Sequence, residues 1–116
     1  DDFFAYVQSI DFEDAVAAVR RAQAMFDAQI KSFYDPKTRE TGYLTGKGRD
    51  GEPTRFDLMS VSAALIRLPA ERTDITLDHI SVEAAKLKAL AKTSPGRFAT
   101  GIYDANSNNA SAPKLL

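Results

Sequence analysis

The sequence predicts a mainly α domain, with an α+β arrangement as the alternative, and three observations carry that reading. Phe12, Val16, Val19, Phe26, Ile30 and Phe33 recur at three- and four-residue steps or their sums, with Ala22 filling the gap. Alanine, the strongest helix former, is abundant along the chain. Glycine and proline are concentrated between residues 35 and 53, which leaves most of the chain free for regular elements. The expected object is a small compact helical domain over residues 1–103. It has one long N-terminal amphipathic helix, two shorter helices, a minor hairpin and a flexible polar tail at 104–116.

Residues 1–10 predict a short leading helix, because Phe3, Phe4, Val7 and Ile10 fit helical spacing. Their stripe is out of phase with the one that follows, so a break is expected near Ser9. The long helix then runs over 11–34. Asp11 is its expected N-cap, and Glu13 and Asp14 fill the first turn, where the helix dipole favours anions. Asp35-Pro36 ends it, since a residue before proline is pushed out of the helical region. In the glycine-rich stretch, Gly42 to Thr45 can pair with Thr54 to Phe56 as a small hairpin.

For residues 57–68 the spacing of Leu58, Val61, Leu65 and Leu68 predicts a helix capped by Thr54 or Asp57 and stopped by Pro69. A strand there would need burial on both faces, which a small domain rarely supplies. Ile75, Leu77 and His79 alternate with polar residues and suggest a short extended segment. Ser81 is the expected cap of a last helix over 82–92, with Glu83 near its start and Lys88 and Lys92 toward its end. Thr93-Ser94-Pro95-Gly96 stops it. Phe98, Ile102 and Tyr103 fit a final short strand or lie over the core. From Asp104 to Pro113 no apolar residue exceeds alanine, so burial cannot offset the entropy of ordering and a tail is expected.

Composition narrows the function classes. The chain has 116 residues, 15 basic against 16 acidic, for a net charge of −1, which argues against a general nucleic-acid binder. It has no cysteine, hence no disulfide framework, thiolate zinc site or cysteine nucleophile. Its apolar runs are too short for a membrane-spanning helix. A first residue other than methionine fits a processed or exported chain, or one cut from a longer protein. Asn109-Ala110-Ser111 is a formal glycosylation sequon.

The reactive inventory is thin. His79 is the one histidine. A Ser–His–Asp arrangement with Ser81 and either Asp78 or Asp74 would need these groups to converge, and sequence neighbours point apart on either a strand or a helix. No metal or other cofactor is expected. Gly46-Lys47-Gly48-Arg49-Asp50-Gly51 matches the letters of the dinucleotide fingerprint, but that motif works only between a strand and a helix N-terminus, and Glu52-Pro53 follows here. Lys47, Arg49 and Arg55 form a weak anion-binding candidate, diluted by Asp50 and Glu52.

The leading expectation is therefore a non-catalytic protein–protein interaction or assembly module. Phe3, Phe4, Tyr6 and Val7 are its expected contact residues. Lys86, Lys88 and Lys92 form a complementary patch, because residues 1–14 hold Asp1, Asp2, Asp11, Glu13 and Asp14 and no base. Such separation of charge favours contact with a protein partner or a second copy. One alternative is a small ligand-binding or enzymatic domain using the loop from Gly46 to Gly51 or the Asp78/His79 segment. Another is a nucleic-acid-binding regulator, although the connector between 57–68 and 81–92 is too long for a helix-turn-helix.

Overall fold

The computed structural model describes residues 2–103 and 113–116. The sequon and the greater part of the expected tail lie outside the described residues. Contacts divide the chain into two compact units, one of residues up to Arg20 with Ser62–Leu116 and the other Arg21–Val61.

No helix forms in residues 2–10, contrary to the spacing. Ser9, near which a break between two helices is expected, has a φ of 58° in the left-handed region, with no helix before it. Helix α1 then spans Phe12–Ile30. Asp11 caps it as expected: its Oδ1 accepts from the Glu13 amide at 2.9 Å, and its carbonyl accepts from Ala15 at 3.0 Å. Phe12, Val16, Val19, Phe26 and Ile30 are half-buried along one face. The position that completes this stripe is Gln23 rather than Ala22, which is exposed.

Within the unit 21–61, a 3₁₀ turn, Lys31–Phe33, tightens the end of α1. The first α-helix ends at Ile30, short of the expected 34, and Asp35-Pro36 starts another. Proline at the first helical position is pre-set for a helix, and Asp35 caps α2, Pro36–Thr41. Gly42, at φ 79°, terminates α2 in the left-handed region and releases the chain into a strand. Strands β1, Tyr43–Lys47, and β2, Pro53–Asp57, pair antiparallel from Tyr43↔Asp57 to Lys47↔Pro53. The expected hairpin is thus present and longer than its sequence signal. Two polar contacts tie the following segment back to this unit. Gln23 Nε2 donates to the Val61 carbonyl at 3.0 Å, and the Met59 amide donates to Tyr34 Oη at 3.0 Å.

The other unit contains a β–α–β arrangement that the sequence reading missed. The helix expected over 57–68 is replaced by the end of β2, an irregular segment and strand β3, Ala63–Arg67. Helix α3, Leu77–Thr93, follows, and strand β4, Phe98–Ile102, runs parallel to β3 in the register Ala63↔Phe98 to Arg67↔Ile102. Strand β5, Lys114–Leu115, pairs antiparallel with the far side of β4, giving the order β3-β4-β5. Parallel strands covered by a crossover helix read as nearly continuous apolar runs. Ala-Ala-Leu-Ile is such a run, and a continuous run satisfies a helical period as easily as a strand period. With three α-helices and two sheets among the described residues, the fold is α+β and not mainly α.

The core of this unit is small. Leu87 and Ala91 of α3 meet Ala99 of β4, with Ala64 and Ile66 of β3 packed against them. Burying one leucine contributes about 1.5–3 kcal/mol. Helix α3 begins four residues earlier than Ser81: Thr76 is the cap, its hydroxyl accepting from the His79 amide at 3.3 Å. The extended segment expected around Ile75, Leu77 and His79 is therefore mostly helical. Ser94 ends α3, where its buried hydroxyl donates to the Ala91 carbonyl at 3.0 Å and accepts from the Phe98 amide at 3.1 Å. No helix among the described residues is long and apolar enough to cross a membrane.

Candidate functional site

The N-terminal segment carries aromatic residues with no fold around them. Phe3 is 93 % exposed, Phe4 81 %, Tyr6 73 % and Val7 62 %. Isolated exposed apolar residues are ordinary, but a run of four within five positions is a contiguous patch. The segment forms neither helix nor strand. Within it, Gln8 Nε2 donates to Tyr6 Oη at 2.9 Å.

One surface ion pair touches the start of this segment. Asp2 Oδ2 lies 2.7 Å from Nζ of Lys88 on α3. The hydrogen bond from Lys88, and then its charge, hold the Asp2 carboxyl below its ordinary value of 3.8, with Lys92 adding a smaller effect. One acid of the N-terminal stretch, Asp2, and one lysine of α3, Lys88, thus meet inside one chain. Lys86 is likewise paired, to Glu83 at 2.9 Å one helical turn back. Lys92 lies in the last turn of α3, where a cation meets the carbonyl end of the helix dipole.

The glycine loop has a different character from a phosphate cradle. It is the turn of the β1–β2 hairpin, and three of its amides are occupied internally. Gly48 N–H donates to the Glu52 carbonyl at 2.8 Å, Gly51 N–H to the Gly48 carbonyl at 2.9 Å, and Glu52 N–H to Asp50 Oδ1 at 3.1 Å. Lys47, Arg49 and Arg55 are all carried by the hairpin, Lys47 and Arg55 on one face of it. The Arg55 guanidinium sits 3.7 Å above the centre of the Tyr43 ring, Lys47 faces Pro53 across the hairpin, and Arg49 lies in the turn.

His79 has one defined side-chain partner, which the sequence reading did not find. Its Nδ1 lies 3.0 Å from Oη of Tyr103, and the two rings are tilted with centroids 6.4 Å apart. Tyr103 follows β4 directly, and its amide donates to the Arg67 carbonyl at 2.9 Å, so the sheet positions its ring against the first turn of α3. Asp74 is engaged elsewhere: Arg72 grips its carboxylate at 2.8 and 2.7 Å and lowers its pKa. Nearby, Ile66, Glu83, Leu87, Gly101, Ile102, Tyr103 and Pro113 line a cavity of about 20 Å³. That is space for about one water molecule. Among the described residues, no group of three or more His, Asp or Glu side chains is placed to hold a metal ion.

No family model, no curated protein and no solved structure matches this chain.

Proposed function

We propose that the chain is a non-catalytic protein-interaction module that docks through Phe3, Phe4, Tyr6 and Val7. The observation that carries this reading is the exposure of all four side chains on a segment whose Asp2 pairs with Lys88. Large aromatic side chains bury much area at low conformational cost, and they dominate the energetics of interfaces. Asp11, Glu13 and Asp14 follow without a Lys or Arg among them. The partner suited to this segment is a protein surface with apolar pockets and a basic rim.

The enzymatic alternative draws on His79, whose side-chain partner among the described residues is Tyr103 rather than an acid. The helix-turn-helix form of the nucleic-acid alternative has no first helix, because residues 63–67 are strand.

The test is the double substitution Phe3→Ser with Phe4→Ser. Binding to any partner isolated with the wild-type chain should be lost, while the far-ultraviolet circular dichroism and the unfolding midpoint stay unchanged. A drop in helical signal would make these residues part of the folded core and end the reading. Retained binding would end it as well.

A further inference from the structure

We infer that β3 is a self-complementary edge through which two copies of this chain join their sheets about a two-fold axis at Leu65. The hydrogen-bond pattern of β3 carries the inference. The Ala63 amide donates to the Arg97 carbonyl at 2.9 Å, and the Arg67 carbonyl accepts from the Tyr103 amide at 2.9 Å. In a parallel ladder this phase directs the main-chain groups of residues 63, 65 and 67 toward β4. The N–H and C=O groups of Ala64 and Ile66 therefore point outward, and among the described residues nothing hydrogen-bonds them.

An antiparallel copy centred on Leu65 matches this phase. Ala64 then faces Ile66 of the second copy and Ile66 faces its Ala64, each pair exchanging two main-chain bonds, with Leu65 against Leu65 between them. Among the described residues the other strand edges are guarded along their length, whereas β3 carries a single charge, Arg67, at its end. Strand β5 is two residues long and carries Lys114, while the hairpin carries Lys47, Pro53 and Arg55. Short length, lysine and proline are the usual devices against edge pairing. Ala63, Ala64, Leu65 and Ile66 include none of them, and all four are only half-buried. Charge selects the antiparallel direction. Arg67 of one copy falls opposite Ala63 of the other, so the two guanidinium-bearing positions lie roughly 13 Å apart, beyond the screening length of about 8 Å. Parallel pairing in register would set them side by side.

A single strand pair is a small interface, so the dimer is weak and concentration-dependent. A covalent trap suits it, because the chain has no cysteine of its own. At the two-fold the Leu65 Cα atoms would be about 4.5 Å apart, within the disulfide range, whereas the Ala63 Cα atoms would be roughly 13 Å apart. Leu65→Cys should form a reducible dimer on mild oxidation at least about tenfold faster than Ala63→Cys, whose Cα separation forbids the bond. Adding Ala64→Pro removes an outward N–H and should slow this cross-link about tenfold. Adding Phe3→Ser and Phe4→Ser should leave it unchanged, which separates this edge from the N-terminal segment.

Equal rates at positions 63 and 65, insensitivity to Ala64→Pro, or loss of the cross-link with the phenylalanine changes would each overturn the inference. Should the cysteine variants fail to fold, the mass of the wild-type chain by light scattering decides. A rise toward twice the monomer mass by about 1 mM is expected. A strict monomer at that concentration overturns the inference and leaves the edge to an extended segment of another protein.

Discussion

Tyr103 and His79 meet through Oη and Nδ1 at 3.0 Å, linking the end of β4 to the first turn of α3. Tyr103 is nearly fully buried, and this contact gives its hydroxyl a side-chain partner. Tyr103→Phe should cost about 0.5–1.5 kcal/mol, the net worth of one hydrogen bond. Urea unfolding of Tyr103→Phe, His79→Ala and the pair would measure it as a coupling of at least about 0.5 kcal/mol. Strict additivity would mean that the two groups do not stabilise one another.

The turn after α3 is shaped by the strand that returns to it. A Cβ on Gly96 would collide with the backbone carbonyl of Leu116, whose amide donates to the Phe98 carbonyl at 2.9 Å. Neither partner in the collision is a flexible side-chain tip, so backbone must move. Gly96→Ala should displace β5 and cost about 1–3 kcal/mol, the usual range for overpacking. Hydrogen exchange at Leu116 should speed up markedly, while Leu87 and Ala91 keep their protection. An unchanged Leu116 exchange rate would show that β5 tolerates the methyl.

What the sequence made legible follows from how local each signal is. The Asp11 cap, the hairpin and the stop at Ser94-Pro95 depend on neighbours within a few residues, and all three are present. Strand β3 depends on Phe98–Ile102, more than thirty positions away, and no local pattern in Ala-Ala-Leu-Ile announces that pairing. A separation of 24 positions likewise hid the Tyr103 partner of His79. Helix α2 is hidden for another reason: Asp35-Pro36 reads as a stop, although proline after a capping aspartate is equally a start signal. At the N-terminus the aromatic cluster was legible as composition. Its exposure, and the pairing of Asp2 with Lys88, required coordinates.

Acid should weaken the fold through aspartates bonded in their ionised form. Asp35 Oδ1 accepts from the Thr38 amide and Oδ2 from the Thr38 hydroxyl, both at 2.9 Å. The Thr38 amide, followed by its hydroxyl, holds the carboxyl below its ordinary 3.8. A carboxyl whose pKa is lower folded than unfolded contributes stability that is complete above the unfolded value. That contribution is lost as pH falls through the folded value, so the window opens near 3.8 and extends below it. Asp2, bonded to Lys88, and Asp74, bonded to Arg72, act in the same direction. Carbon-13 titration of the Asp35 carboxyl should give a midpoint below 3.8, and Asp35→Asn should flatten the acid limb of stability. A midpoint at or above 3.8 would mean that the cap is not formed in solution.

Gly101 makes room for the one large side chain of the central core cluster. A Cβ there would lie 3.0 Å from Cδ1 and 3.4 Å from Cδ2 of Leu87, which is buried between α3 and the sheet. Gly101→Ala should therefore destabilise by about 1–3 kcal/mol, since a close-packed interior has little slack for a methyl. Leu87→Ala should cost about 2–5 kcal/mol through lost burial and the cavity left behind. In the double variant the new methyl enters the space that Leu87 vacated. The penalty of Gly101→Ala should then shrink to about 0.5 kcal/mol or less, a large favourable coupling between contacting residues. Chemical denaturation of the four proteins closes this cycle. Additive losses would place the cost of Gly101→Ala in the backbone of β4, and Leu87 would no longer be the reason that a glycine occupies this strand.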